Sequence, residues 1–160
     1  MPRRAFRVEE ADALLPALER VLAELERWRD AARARADALQ VLELLWGARL
    51  DDAACPDHGE RAEHRAAVEA AGREMRRLVE EEITARGIRF PPGGLEHGLL
   101  DFPTTWRGRW VYLCWRRGEP EVGAWHEVHA GFAGRRAVTP EQRSGMGADP
   151  PLPGDGAPEP

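Results

Sequence analysis

The sequence predicts an α+β fold: a long antiparallel helical hairpin with a small antiparallel β-hairpin element packed on it. Three observations carry that expectation. Apolar residues from Leu18 to Trp46 recur on an alternating three-then-four spacing, the seam of a helix packed lengthwise on another helix. A second helical stripe follows after one loop. Beyond residue 88 the apolar period shortens to that of strands, and Gly and Pro punctuate the chain.

Leu18, Val21, Leu25, Trp28, Ala32, Leu39, Leu42 and Trp46 form the first seam, which only Arg35 interrupts. Pro16 requires the helix to start near Asp12 or Ala13, where early N–H groups lack partners anyway, or to kink there. Gly47 to Glu60 reads as a loop. The second helix spans about 61–86, with Val68, Ala71, Met75, Leu78 and Ile83 as its stripe and Gly87 as its stop. Two helices joined this way should lie antiparallel. Near the loop the first helix reads Val41-Leu42-Glu43-Leu44-Leu45-Trp46, apolar almost all round. One partner helix cannot cover that surface, so another chain or another element is expected there, with Leu42, Leu45 and Trp46 as the interface of a homodimer in the first case.

Ile88-Arg89-Phe90 is a short strand candidate, and Leu95 to Phe102 is left between strand and coil. Trp110–Arg116 and Glu121–His129 read as two strands around Arg117-Gly118-Glu119-Pro120, with Gly118 suited to a two-residue II′ turn. That register places Arg116 opposite Glu121, Leu113 opposite Ala124 and Tyr112 opposite Trp125. Val111, Leu113, Trp115, Val122, Ala124, His126 and Val128 then share a core face. Trp110, Tyr112, Cys114, Arg116, Glu121, Trp125, Glu127 and His129 share a mixed face, of the kind that meets a ligand or partner. Residues 1–136 are expected to form one domain, and the Pro/Gly-rich 137–160 a disordered tail.

Composition removes several functional classes. All 23 basic residues are Arg, against 28 acidic ones, for a net charge of -5. Codon pressure accounts for the Arg excess, and the negative balance disfavours nucleic acid, which requires a basic surplus. No apolar run nears the roughly 20 residues that cross a bilayer. The N-terminal arginines have no apolar stretch behind them, so no secretory signal is read. Two cysteines make no disulfide framework, and a cytoplasmic location is the default expectation.

The C-terminal third carries a run of motifs: Gly98-Leu-Leu-Asp101-Phe-Pro103, Val111-Tyr-Leu-Cys-Trp115-Arg116, Gly118-Glu119, Trp125-His126-Glu127 and Gly131-Phe-Ala-Gly134-Arg135. Together with Glu9-Glu-Ala-Asp-Ala-Leu-Leu-Pro16, this string resembles the bacterial domain of unknown function family 2203 over about residues 6–136. Where the family has a Thr as helix start, this chain has Arg7. The resemblance implies a small cytosolic protein with a helical hairpin and an attached β segment. It brings no activity, cofactor or catalytic residue with it.

Candidate sites follow from side-chain chemistry. Trp125-His126-Glu127-Val128-His129 brushes the zinc-protease pattern, but its second His comes one residue early and on a strand, so the protease reading fails. His126, with Asp101 ahead of a Phe-Pro turn, could make an acid–base pair. A structural histidine beside a turn-forming Asp is the commoner arrangement. Tyr112, Cys114, Arg116, Trp125 and Glu127 could converge on the mixed face, with Arg116 holding an anion and Cys114 acting as a thiol. An Arg116–Glu121 ion pair with an inert cysteine explains the same residues. Arg135 in Gly131–Arg136 could bind an anion, although a tight turn with Phe132 packed inward is the simpler reading. Cys55, His58 and His64 fall short of a structural zinc set. No metal or cofactor is called for. Two functions stand: an interaction or scaffold module that self-associates through the hairpin, or a small-ligand binder or enzyme using Arg116, Glu127 and Cys114 or the Asp101–His126 pair.

Overall fold

A computed structural model describes residues 4–154 and 156. The chain divides into two compact units, Met1–Leu22 with Val79–Pro160, and Ala23–Leu78. The long first helix contributes to both units. This helix, α1, runs Val8–Trp46. It starts earlier than Pro16 suggested because Glu10 turns back to accept the Arg7 backbone N–H at 2.9 Å, the carboxylate half of a capping box. Pro16 lies inside the helix on an exposed side.

In the Ala23–Leu78 unit, α1 turns through a 3₁₀ segment, Gly47–Asp51, into α2, His58–Leu78. Leu42, Leu50 and Cys55 form a buried cluster against which Trp46 packs. The Trp46 indole N–H donates to Asp57 just ahead of α2 at 2.6 Å. Arg35, the break in the seam, donates to His64 Nδ1 at 3.1 Å, and His64 Nε2 meets Glu60 at 3.3 Å. The interruption is therefore a polar rung between the two helices. Beyond α2 a single π turn, Val79–Ile83, and a 3₁₀ turn carry the chain to Gly87, whose φ of 83° ends the helical path where the sequence placed it.

The other unit holds a four-stranded antiparallel sheet in the order β1-β2-β3-β4, not a lone hairpin. The strands are β1 Leu99–Trp106, β2 Arg109–Arg116, β3 Ala124–Glu127 and β4 Arg136–Ala137. A one-turn helix, α3, Gly94–His97, leads into β1. The tight turn is Arg107-Gly108 between β1 and β2, with φ of 52° and 76°, the two left-handed residues of a type I′ hairpin. The sequence reading put the tight turn at 118–119, where a longer connection from Arg117 to Gly123 runs instead. Tyr112 therefore pairs with His126 and Leu113 with Trp125, one residue out of the expected register. A one-residue slip exchanges the two faces of a strand, so His126 joins Tyr112 and Cys114, while Trp125 and Glu127 join Leu113 and Val111.

On the Leu113 face, Leu100, Phe102, Val111 and Trp115 are buried, and Phe6 meets Phe102 edge-on at 5.4 Å. Val8, Ala11, Leu15, Leu18 and Leu22 of α1 are buried at the same three-then-four spacing, with Leu22 in place of Val21. Three separate segments bond the outer edge of β1. Arg89 exchanges both backbone hydrogen bonds with Asp101, Phe6 N–H donates to the Pro103 carbonyl, and Gly147 N–H donates to that of Thr105. Pro103, which has no N–H, sits at an edge where none is required.

The expected disordered tail is corrected over its described part. Helix α4, Pro140–Gly145, starts with a full capping box between Thr139 and Gln142. Met146 is completely buried, Arg143 pairs with Asp12 and Glu121, and Leu152 N–H reaches the Gly108 carbonyl at 2.7 Å. Composition misled because one buried Met, a capped turn and backbone pairing suffice to dock a segment poor in apolar residues. Residues 155 and 157–160 lie outside the described residues.

Candidate functional site

Antiparallel register and period two bring four candidates onto one face of the sheet. Asp101 on β1 lies opposite Cys114 on β2, and Tyr112 on β2 lies opposite His126 on β3. All four are at most 3% exposed. Asp101 is in mid-strand rather than ahead of a turn. His126 reaches over the small Cys114 position, and its Nε2 lies 3.3 Å from Asp101 Oδ1. Its Nδ1 lies 2.8 Å from the Glu127 backbone carbonyl. A carbonyl only accepts, so Nδ1 carries the hydrogen and Nε2 is the atom turned toward Asp101.

Arg89 completes the group. Its Nη1 donates to Asp101 Oδ2 at 3.4 Å, and its guanidinium lies 5.1 Å from the centre of the Tyr112 ring. The Tyr112 and His126 rings are 5.5 Å apart. Sequence reasoning passed over Arg89. The signal was the Ile88-Arg89-Phe90 alternation, which is the strand-like stretch bridged to Asp101.

Electrostatics follow from this packing. Burial works against a charged His126, but the Asp101 carboxylate and the Glu127 carbonyl outweigh it, so its pKa is raised. Burial, reinforced by Asp101, pushes the Cys114 thiol up to about 12. Without a bound cation this thiol is protonated and a poor nucleophile, which argues against free-thiol chemistry. The side-chain donor atoms of Asp101, Cys114 and His126 all lie within 4.8 Å of one another.

The remaining candidates do not join them. Arg116 is exposed at the end of β2 opposite Leu99, not Glu121. The expected Arg116–Glu121 pair is replaced by Glu121 with Arg143 at 3.2 Å. Glu127 faces the other side and pairs with Arg109 at 3.1 Å. Trp125 is buried there beneath Arg136. Arg135 is held by both Glu119 carboxylate oxygens, at 2.7 and 2.8 Å, and so makes no open anion site. Phe132 is 47% exposed instead of turned inward. An open groove near this turn, between Glu119, Ala124 and Arg136, is separate from the buried group.

In the hairpin unit, His58 Nδ1 donates to the Leu50 carbonyl and His64 is bonded at both ring nitrogens, so Cys55, His58 and His64 are not gathered as ligands. The expected interface trio splits. Leu42 is buried at 6% and Trp46 packs on the same cluster, whereas Leu45 is 69% exposed, beside Val41 at 54% and Leu44 at 80%. Among the described residues, no helix is long and apolar enough to cross a membrane.

The chain matches a protein family described as "Uncharacterized conserved protein (DUF2203)" over residues 4–138. No curated protein and no solved structure gives a match.

Proposed function

The chain belongs to the DUF2203 family, and from that starting point we propose that it is a protein-interaction module that pairs with a second copy of itself along the exposed side of α1. One observation carries this reading. Ala31, Ala34, Ala38, Val41 and Leu45 follow a three-then-four spacing of their own, and all but the half-buried Ala38 are exposed. Thus α1 bears a second apolar seam beside the Leu18–Trp46 series, and a seam of that period fits another helix.

Charge favours a copy of the same chain as the occupant. The second seam is flanked by Asp30 and Asp37 on one side and by Arg35 on the other. Laid parallel and in register, two such helices place Asp30 of one beside Arg35 of the other, whereas a strongly charged partner would meet like charge on one flank. The free cysteines accord with a cytosolic setting.

The ligand or enzyme reading ranks second, because Asp101, Tyr112, Cys114 and His126 are buried beyond the reach of a substrate. Native mass spectrometry and light scattering test the proposal. The wild-type chain should be a dimer, and Val41→Asp with Leu45→Asp should give a folded monomer with unchanged helical circular dichroism. A monomeric wild type, or a dimer that survives both substitutions, overturns it.

A further inference from the structure

We propose that Asp101, Cys114 and His126 are the protein ligands of a buried site for one divalent transition-metal ion of the zinc type. Three neighbouring strands each contribute one donor to the same face of the sheet, and the donor atoms lie within 4.8 Å of one another. A carboxylate, a thiolate and an imidazole are the donors that zinc-type ions take. Such a set does not suit magnesium or calcium, which select oxygen.

The histidine is held as a metal ligand is held. Its Nδ1–H is tied to the Glu127 carbonyl at 2.8 Å, which fixes the tautomer and directs Nε2 into the cluster. There Nε2 faces Asp101 Oδ1 at 3.3 Å. A neutral imidazole in this tautomer would set a lone pair against a carboxylate oxygen, so a proton or a metal ion must lie between them. For a charge-assisted hydrogen bond the separation is long, since about 2.7–2.9 Å is usual. It equals the edge of a tetrahedron whose metal–ligand bonds are about 2.0 Å, roughly 3.3 Å. Arg89 steadies the second carboxylate oxygen from outside at 3.4 Å.

The charges balance. With no metal, a proton lies between His126 Nε2 and Asp101, and Cys114 carries its thiol hydrogen. A divalent ion binds Asp101, Nε2 and the thiolate, and the Nε2 and thiol protons leave to solvent. Two positive charges enter and two leave, so the buried group keeps its net charge and Arg89 keeps its anionic partner. Three protein donors leave the fourth tetrahedral position to a small ligand such as water.

The test uses the full chain, stripped with chelator under reducing conditions and titrated with cobalt(II) as a spectroscopic stand-in for zinc. A thiolate-to-cobalt charge-transfer band and intense tetrahedral d–d bands should saturate at one ion per chain, and zinc should abolish them by displacement. Cys114→Ser should remove the charge-transfer band, His126→Gln should weaken the d–d bands, and Cys55→Ser should leave both intact. If no charge-transfer band forms on the folded wild-type chain, the proposal is overturned whatever the variants do. A band that persists in Cys114→Ser and vanishes in Cys55→Ser also overturns it, because the ion is then in the interhelical loop.

Discussion

Asp101 and His126 come from strands that do not pair with each other, yet their side chains meet across β2 at 3.3 Å in a site almost closed to solvent. The residue between them is Cys114, small enough to leave both side chains room. This contact ties the two flanking strands together over the middle one.

Removing one member of that pair should be costly. Asp101→Asn leaves His126 and Arg89 without their anion, and breaking a buried charged pair costs about 3–5 kcal/mol. Urea denaturation of the metal-free chain should show a loss of that order. A loss below about 1 kcal/mol, the range of an exposed pair, would mean that the contact is not formed.

The two sides of α1 near its end should respond differently. Leu42 is packed against Leu50 and Cys55, so Leu42→Ala should cost about 2–4 kcal/mol of stability through the cavity it leaves. Leu45 is 69% exposed, so Leu45→Ala should stay within about 0.5 kcal/mol while weakening self-association. Thermal melts paired with sedimentation velocity separate the two effects.

Docking of the C-terminal segment depends on Gly147. Its φ is +76°, and a Cβ there would sit 2.4 Å from the Phe6 carbonyl oxygen, backbone against backbone. Gly147→Ala should therefore detach the segment around Met146 and expose it to limited proteolysis, while the sheet keeps its circular dichroism. Unchanged protease resistance would show that the segment does not dock through this contact.

The start of α1 should carry an acid-sensitive contribution. The Arg7 backbone N–H first, with Arg4 assisting, holds the Glu10 carboxyl below its ordinary 4.5. A carboxyl lowered in the folded state stabilises above its unfolded pKa, and that gain disappears as pH falls through the folded value. Glu10→Gln should cost about 0.5 kcal/mol near neutral pH, small because the side chain is partly exposed. The difference from wild type should vanish in acid, as read from urea midpoints across pH.

Periodicity is local, and what it encodes was legible. The three-then-four series marked the buried side of α1, and Gly87 marked the end of the second helical stretch, because helix faces and stops depend on neighbours a few residues away. The pairing of Asp101 with His126 could be named as a candidate from chemistry alone. Strand register could not be read, since one residue in the Arg117–Gly123 connection decides it and no local pattern reports loop length. That single step moved His126 beside Cys114 and sent Glu127 and Trp125 to the opposite face. Arg89 and the 140–154 segment were likewise hidden, because each gains its place from a distant strand edge. Local spacing determined which elements exist. Only the tertiary structure decided which side chains meet, because contacts across a sheet are set by pairing between residues far apart in the chain.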